Sequence, residues 1–264
     1  EIVVACTDEN EVSYRANRAL MIVMVNVQCH AGTCSLVWTT GSDYGNAYSV
    51  AYTALGNNSE EQRRWTTIHE AGGHGFGKLG DEYGGLKITG FNTGAWHNLD
   101  IYHQLGIHRN INEYWGPEER ADGWSLSWED TTEDNVYWSE LLGGYGYEES
   151  EGLGVYRGGY TYENFFCRPT PNSVMRSQFS NDGKFFNAIS RWAIWYRLMK
   201  LTGCTNASDF KSSLNEFIAF DNTITIDAEP LTRSAVYDNG MLPLAPPVLI
   251  EAEWSEDGTH LRVL

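Results

Sequence analysis

Three apolar segments in the first part of the chain predict the strands of one sheet. Residues 20–27 (LMIVMVNV) are apolar on both faces, which is typical of a strand in the centre of a sheet. A tight turn at residues 30–33 separates this segment from a second apolar run at residues 35–39. Residues 47–55 alternate enough between apolar and polar positions to form a third strand.

Two further segments have the pattern of helices. Residues 57–61 (NNSEE) combine cap residues with acids, so a helix should begin there and continue past Ile68. Residues 185–201 have strong helical spacing, and Gly203 follows as a stop signal. The polar residues 9–18 are a weaker candidate for a helix.

The remaining segments predict an α+β protein with two parts. Residues 84–171 are rich in Gly, Trp and Tyr and weak in periodicity, which predicts a long irregular region with short strands, of the kind that builds a binding surface. Residues 223–226 and 248–254 resemble strands of a small appendage. We therefore predict a first domain at residues 1–205 and a β-rich C-terminal extension at residues 206–264.

The net charge argues against a nucleic-acid-binding protein, and the length of the apolar runs argues against a membrane-spanning one. The chain has 264 residues, of which 42% are hydrophobic, enough for a packed core. Its formal net charge of -17 argues against a nucleic-acid partner, because phosphate binding needs a basic surface. The longest apolar run, residues 19–27, is far shorter than the roughly 20 residues of a membrane span, so the chain should not be transmembrane.

Five cysteines are present: Cys6, Cys29, Cys34, Cys167 and Cys204. Cys29 and Cys34 flank the turn between the first two apolar runs, where they form either a disulfide across a hairpin or two free thiols. A disulfide between Cys167 and Cys204 is a second hypothesis. The odd number leaves at least one thiol unpaired within the chain.

The sequence His69-Glu70-Ala71-Gly72-Gly73-His74 contains the clearest chemical signal. In the common zinc-peptidase motif HExxH, the two histidines lie on one helix face and the glutamate acts as the base. Here the spacing is one residue longer, so the histidines would be about 140° apart on an ideal helix. A π-bulge would restore the shared face, and two adjacent glycines make such a distortion inexpensive.

Other interpretations of this helix remain open. If the helix is regular, Glu70 and His74 are the pair on one face and His69 points elsewhere; alternatively, the two histidines are unrelated surface residues. A metal site needs a third ligand, and Asp81 or Glu82 could return to it through a glycine-rich segment. That segment, residues 75–80, also matches GxGxxG, but it follows a helix rather than a strand and is not a dinucleotide site.

Several motifs in order resemble the bacterial IgA-peptidase family of zinc metallopeptidases (metallopeptidase family sixty-four). The segment HEAGGHGFGKLGDEY, residues 69–83, resembles the family signature, although its HExxxH has one residue more than the usual HExxH. The same longer spacing occurs in the dipeptidyl peptidase III family. Residues 137–142, 154–160 and 169–176 are similar to further family segments. The resemblance covers roughly residues 20–203.

This resemblance implies a metzincin-like fold: a twisted mixed sheet, an active-site helix, a methionine turn beneath the metal and a C-terminal helix. It implies His69, His74 and Asp81 as ligands of one Zn²⁺ per chain and Glu70 as the general base. It also implies that Met175 is the methionine of the turn, although methionine is equally at home in an ordinary core.

Additional residues receive provisional roles. Glu82 is expected to orient a ligand histidine or to replace Asp81 as the third ligand. Tyr83 and Tyr160 are possible donors of a hydrogen bond to the oxyanion of the transition state, and each could equally be a packed aromatic. Three histidines of the irregular region are expected to be at the surface or hydrogen-bonded: His97, His103 and His108.

The function expected from these features is a zinc-dependent endopeptidase that hydrolyses extracellular proteins. Its location would be secreted, periplasmic or at the cell surface, and its partner would be a protein or peptide substrate. A glycan- or peptide-binding module with a structural or degenerate zinc site is the alternative, although a structural site has no use for the base Glu70. An exopeptidase is a third hypothesis. The sequence does not indicate an oligomeric state or a particular substrate.

Overall fold

The protein is α+β, with mixed sheets and a small number of helices. The computed structural model describes residues 20–25, 32–37, 48–54, 59–86, 103, 106–113, 135–177, 185–223, 252–254 and 261–263. The helix predicted at residues 9–18, the strand predicted at residues 224–226 and the side chain of His97 lie outside these residues. By its internal contacts the chain forms two compact units, residues 1–221 and 222–264.

The first sheet contains the three predicted strands, β1 (Leu20–Val25), β2 (Gly32–Val37) and β3 (Tyr48–Ala54). Their order is β1-β3-β2, with β1 parallel and β2 antiparallel to β3. The prediction that the first strand is central is therefore wrong for the described residues. Apolar side chains on both faces of β1 are partly exposed, including Met24 at 58%, so the apolar run did not reflect burial by two neighbouring strands.

The free thiols of Cys34, Cys167 and Cys204 contradict both predicted disulfides. Because β3 lies between β1 and β2, these two strands do not pair as a hairpin, and Cys34 has a free thiol. Its predicted partner, Cys29, lies outside the described residues. Cys167 is a fully buried free thiol in a strand, whereas the thiol of Cys204 is free and exposed beyond a helix, so a disulfide between them is excluded.

Helix α1 (Glu60–Thr67) begins where its cap residues predict. Ser59 accepts a hydrogen bond from the amide of Gln62 at 3.2 Å, and the Gln62 side chain accepts one from the Ser59 amide at 2.9 Å. This reciprocal capping box satisfies two amide groups that would otherwise lack partners at the helix start. The helix continues directly into a π-helix at Ile68–Phe76, which contains the HExxxH motif.

A second sheet follows the motif and lies within the segment predicted to be irregular. It contains β4 (Gly84–Leu86), β5 (Asn112–Glu113), β6 (Tyr156–Gly159) and β7 (Thr161–Arg168). β7 pairs with all three of the others, in parallel with β4 and antiparallel to β5 and β6. A short 3-10 helix at Ser139–Leu141 and the helix α2 (Tyr147–Glu151) precede β6.

The predicted long helix is α3 (Ala188–Thr202), capped by Asn187, whose side chain accepts from the Ser190 amide at 3.1 Å. It ends at Gly203, which has the left-handed φ of 70° that a glycine adopts at little cost. After a 3-10 turn at Lys211–Ser213, helix α4 (Leu214–Asp221) packs Phe217 against Trp192 of α3 at a ring separation of 6.0 Å.

Packing of α4 places the end of the first compact unit after residue 221, whereas the predicted boundary follows residue 205. Arg191 strengthens this packing, because its guanidinium lies 2.7 Å from Asp221 of α4 and 2.6 Å from Glu151 of α2. Within the second unit, β8 (Ala252–Trp254) and β9 (Leu261–Val263) form an antiparallel pair. Among the described residues, no helix is both long enough and apolar enough to cross a membrane.

The main core of the first unit lies between α3, α4 and the loops around them. Its fully buried large side chains include Trp138, Leu141, Met175, Ile189, Trp192 and Phe217. Leu79, from the loop after the π-helix, belongs to the same cluster and is 1% exposed. This contact joins the loop that follows the HExxxH motif to the main core of the first unit.

Candidate metal centre

The π-helix brings the two histidines of the motif together. Its wider turn is visible in the hydrogen bond from the Gly77 amide to the Gly72 carbonyl, which spans five residues at 2.9 Å. His69 and His74 therefore share one face: their rings are 4.7 Å apart between centroids, and their Nε2 atoms are 3.1 Å apart. The predicted distortion is confirmed, and it extends over nine residues rather than a single bulge. The regular-helix interpretation, in which His69 points elsewhere, is wrong.

Asp81 completes a group of three potential ligands. Its Oδ1 atom lies 3.1 Å from Nε2 of His69 and 3.1 Å from Nε2 of His74, so the three atoms form a nearly equilateral triangle. Within the part of the chain that the structure describes, these three residues form a group that could hold a metal ion. A tetrahedral site with bonds of about 2.0 Å has ligand atoms about 3.3 Å apart, close to this spacing.

Hydrogen bonds at the far side of each ring determine which nitrogen faces the triangle. Nδ1 of His69 is 2.8 Å from the carbonyl oxygen of Val174, and Nδ1 of His74 is 2.7 Å from that of Leu79. A carbonyl oxygen only accepts, so each Nδ1 must carry a proton, and when the ring is neutral its Nε2 presents a lone pair. Two lone pairs and a carboxylate oxygen that converge in this way repel one another unless a cation lies between them.

A proton on either Nε2 would instead donate a hydrogen bond to Asp81, and this protonated state is the one to which the following pKa shifts refer. Burial by itself would raise the pKa of the Asp81 carboxyl, but hydrogen bonds from His69 and His74 hold that pKa well below its ordinary value. Burial would likewise lower the pKa of His74, yet the hydrogen bond and charge of Asp81 raise it. The site thus stabilises positive charge beside Asp81, as a metal-binding group should.

Glu70 stands next to this group on the π-helix and is 5% exposed. Burial raises the pKa of its carboxyl, and the charge of Asp81 raises it further, whereas both histidines lower it. The backbone of β2 passes close by: a Cβ atom on Gly32 would lie only 2.6 Å from Oε1 of Glu70. A glycine at position 32 is therefore what allows the sheet to approach this carboxylate.

These groups open into a cavity of about 290 Å³. Three features of the fold meet in its wall: the start of β2 at residues 32–34, the motif residues Glu70 and His74, and the loop at residues 79–83. Two residues from elsewhere in the chain, His108 and Tyr160, complete the lining. The carboxylate of Glu70, two of the potential metal ligands and a strand thus face the same space.

Glu82 does not have the predicted position. It is fully buried, and its carboxylate accepts hydrogen bonds from Asn110 at 2.8 Å, from Asn187 at 2.9 Å and from the hydroxyl of Ser173. It contacts neither histidine, because the carbonyls of Val174 and Leu79 already occupy both Nδ1 atoms. Glu82 instead joins the loop that carries Asp81 (residues 77–83, the ligand loop) to the segment around Met175 and to the start of α3.

Asn110 provides the second support of the ligand loop. Its side chain pairs with the backbone of Gly80 like a neighbouring strand: it accepts from the amide and donates to the carbonyl, each at 2.8 Å. The residue before Asp81 is therefore held on both sides. Sequence analysis missed Asn110, Ser173 and Asn187, because each is a common polar residue in a loop with no spacing that relates it to the motif.

Met175 lies in a tight turn beneath the π-helix. The Arg176 amide donates to the Ser173 carbonyl at 3.0 Å, and the Met175 carbonyl accepts from the Glu82 amide at 2.9 Å. Met175 is fully buried, and the preceding residue, Val174, provides the carbonyl that orients His69. The turn therefore supports one ligand from below and the ligand loop from the side.

The two predicted oxyanion donors have different surroundings. Tyr83 is 40% exposed, stacks its ring 6.5 Å from that of His69, and shares a hydrogen bond with Asp81. Tyr160 is on the cavity wall, where its hydroxyl is hydrogen-bonded to Nδ1 of His108. As expected, His108 is hydrogen-bonded; His103 is also, since its Nε2 contacts the carbonyl of Ile111 at 2.8 Å.

No protein-family model matches the chain, and no curated protein sequence matches it. The assignment of a family therefore stays a prediction from the motifs.

Proposed function

We propose that this protein is a zinc-dependent endopeptidase with a metzincin-like catalytic domain, similar to the bacterial IgA-peptidase family. The observation that supports it best is the triangle of Nε2 of His69, Nε2 of His74 and Oδ1 of Asp81, with sides of 3.1 Å. Its two histidines have the tautomer that metal binding requires, and their Nδ1 atoms donate to carbonyls, the usual arrangement behind a metal ligand.

His69, His74 and Asp81 would hold the zinc ion. Nitrogen and carboxylate ligands suit Zn²⁺, and three protein ligands are typical of a catalytic site, in contrast to the four of a structural one. When bound, zinc supplies an acid that polarises a carbonyl and lowers the pKa of water. The three-ligand set therefore favours catalysis over the alternative of a structural zinc site in a binding module.

Glu70 is the proposed general base. Glu70 lines the cavity, and burial raises its pKa above that of an ordinary glutamate, which makes its carboxylate a stronger base. In the proposed reaction, Glu70 accepts a proton from the water that attacks the peptide carbonyl. It then delivers this proton to the amide nitrogen as the carbon–nitrogen bond breaks, which leaves a carboxylic acid and an amine.

Strand β2 supports an extended peptide as the substrate. Its first residues, 32–34, line the cavity, and among the described residues β2 pairs with β3 alone. Its other edge can therefore accept a peptide by main-chain hydrogen bonds, a general mode of peptide recognition. A peptide that lies along a strand edge extends beyond the cavity in both directions, which favours an endopeptidase over an exopeptidase.

The surrounding fold agrees with the metzincin-like assignment. A mixed sheet precedes the motif helix, Met175 lies in a turn beneath it, and α3 follows that turn. We propose that the enzyme acts on extracellular proteins, because the resemblance of its motifs is to exported peptidases. This location remains a prediction from the sequence.

The test is metal content combined with hydrolysis. The full chain, dialysed against metal-free buffer, should retain about one zinc per chain by mass spectrometry, and it should cleave casein. A chelator such as 1,10-phenanthroline should abolish the cleavage, and added Zn²⁺ should restore it. His74→Ala is the matched control and should lose the metal, because metal binding needs all three ligands. Zinc without cleavage of any protein substrate would favour the binding module, and absence of zinc would contradict the proposal.

A further inference from the structure

Two residues of the cavity wall have no role in the proposed reaction so far. His108 and Tyr160 face the same space as Glu70, His74 and Asp81, although they come from a loop and a strand turn far along the chain. The hydroxyl of Tyr160 is hydrogen-bonded to Nδ1 of His108, and their rings meet edge to face with centroids 5.0 Å apart. The two side chains therefore behave as one unit.

Both residues have a backbone conformation that is unfavourable for their type. The φ angle is 54° at His108 and 55° at Tyr160, in the left-handed region that residues other than glycine seldom adopt. Such conformations persist only where surrounding contacts enforce them, and they concentrate at functional sites. Here two such residues contact each other in the wall of one cavity.

The enforcing contacts come from the ligand loop itself. The His108 amide donates to the carbonyl of Lys78 at 2.6 Å, and the Tyr160 amide donates to that of Asp81 at 2.7 Å. Gly80 lies between these two points, where a Cβ atom would be too close to Ile111 at 2.9 Å and would be in ordinary van der Waals contact with the rings of Tyr160 at 3.4 Å and His108 at 3.5 Å. The two backbone hydrogen bonds thus hold the pair beside Asp81.

Of the two candidate tyrosines, Tyr160 is better suited to contact a substrate. The hydroxyl of Tyr83 is engaged with the carboxylate of Asp81, and burial together with that charge raises the pKa of Tyr83. A hydroxyl that donates to a carboxylate has no second proton for an oxyanion. Tyr160 instead has the ring nitrogen of His108 as its neighbour, and a ring nitrogen can donate as well as accept.

We propose that Tyr160 is a catalytic residue that donates a hydrogen bond to the substrate carbonyl oxygen as it becomes negative, and that His108 is the positioning residue for this hydroxyl. This assignment rests on the proposed peptidase function. It requires the Nδ1–H tautomer of His108, which donates to Tyr160 and leaves the hydroxyl proton directed into the cavity. Burial lowers the pKa of His108 to about 3, so its ring is neutral and carries one proton, on either Nδ1 or Nε2.

The kinetic test uses the zinc-loaded full chain and a fluorogenic peptide selected from casein cleavage sites. Tyr160→Phe removes only the hydroxyl and should lower kcat by about a hundredfold, with KM and zinc content unchanged, because the interaction forms in the transition state. The matched control is Tyr145→Phe, an exposed tyrosine outside the cavity lining, which should keep the wild-type kcat.

Variants of His108 separate positioning from packing. His108→Gly and His108→Asn both tolerate a left-handed backbone, but only asparagine offers an amide donor near the place of Nδ1. We expect His108→Gly to lower kcat as much as Tyr160→Phe does. His108→Asn should have a kcat at least tenfold higher than that of His108→Gly. The double variant Tyr160→Phe/His108→Gly should be no slower than Tyr160→Phe alone. Additive losses would overturn the pairing.

A measurement independent of turnover completes the test. In ¹⁵N-histidine NMR spectra of the whole chain, His108 should have a protonated Nδ1 and a bare Nε2, and Tyr160→Phe should shift the Nδ1 signal. The opposite tautomer would overturn the proposal. A wild-type chain that cleaves no protein would refute the peptidase function and this role with it. Wild-type cleavage with an unchanged kcat in Tyr160→Phe would refute the role of the pair alone.

Discussion

The sulfur atom of Met175 lies 2.2 Å from the position that a Cβ atom on Gly73 would occupy. No residue with a side chain fits there unless Met175 moves. The neighbouring Gly72 differs, because its nearest contact would be the ring of Phe186 at 3.7 Å, an ordinary van der Waals distance. The two adjacent glycines of the motif therefore differ in role. Gly73 allows the turn at Met175 to pack closely against the π-helix, whereas a side chain at Gly72 would make only ordinary contacts.

This difference gives a matched pair of substitutions. Gly73→Ala should lower the free energy of unfolding by about 1–3 kcal/mol, because the extra methyl group must displace Met175 in a packed core. It should also weaken zinc binding, since Val174 orients His69. Gly72→Ala should leave stability unchanged or raise it by up to about 1 kcal/mol. Urea unfolding and zinc titration of the two variants check this. Equal effects would show that contact with Met175 is not what requires glycine at position 73.

Glu70→Gln should separate metal binding from chemistry. The glutamine keeps the shape of the side chain but cannot accept a proton, so hydrolysis should fall by at least about a hundredfold. Zinc content should remain that of the wild type, because Glu70 is outside the His69, His74 and Asp81 group. Initial rates on casein and metal analysis of the same preparation test this, and full activity in the variant would exclude Glu70 as the base.

Asp81 and Glu82 are adjacent, but their substitutions should affect different properties: Asp81→Asn should weaken zinc binding, and Glu82→Gln should destabilise the fold. Asp81→Asn removes the charge between the histidines and should reduce zinc affinity by at least about tenfold, with a small change in stability. Glu82→Gln places an amide donor against the donors of Asn110 and Asn187, and should destabilise the fold by about 2 kcal/mol. Zinc titration and urea unfolding of both variants test this. The reverse pattern would identify Glu82 as the ligand.

Lys78 should make stability depend on pH. It is 1% exposed and donates to the hydroxyl of Ser49; burial lowers its pKa to about 7, the charge of Arg197 adds to this, and Cys34 opposes it. Between that value and the ordinary pKa of about 10.4, the unfolded chain binds more protons than the folded one, so stability rises with pH.

Lys78→Met is the corresponding variant, measured in excess chelator so that metal binding does not contribute. Relative to it, the wild type should gain about 2 kcal/mol of unfolding free energy between pH 7 and pH 9, since each unit of pH contributes at most about 1.4 kcal/mol. Groups that titrate in both proteins, such as Cys34, largely cancel in the comparison. A difference that stays constant over this range would show that Lys78 remains charged in the folded protein.

Local patterns predicted the secondary structure around the motif well. The strands at β1, β2 and β3, the capped start of α1 and the helix that ends before Gly203 all follow from side-chain periodicity and cap residues. The order of the strands in the sheet did not follow from these local patterns. The apolar run of β1 suggested a central strand, but pairing in a sheet depends on which segments meet across the fold, and β3 took the centre.

The sequence by itself determined the chemical components of the site: two histidines and a glutamate in one motif, an odd spacing that needs a wider helical turn, and two acids at the end of a glycine-rich loop. Tertiary structure decided between those acids, since Asp81 meets the histidines while Glu82 turns into a buried network. It also supplied the Val174 carbonyl to His69 across 105 positions of sequence. Contacts of that separation leave no local pattern, because they depend on packing between elements.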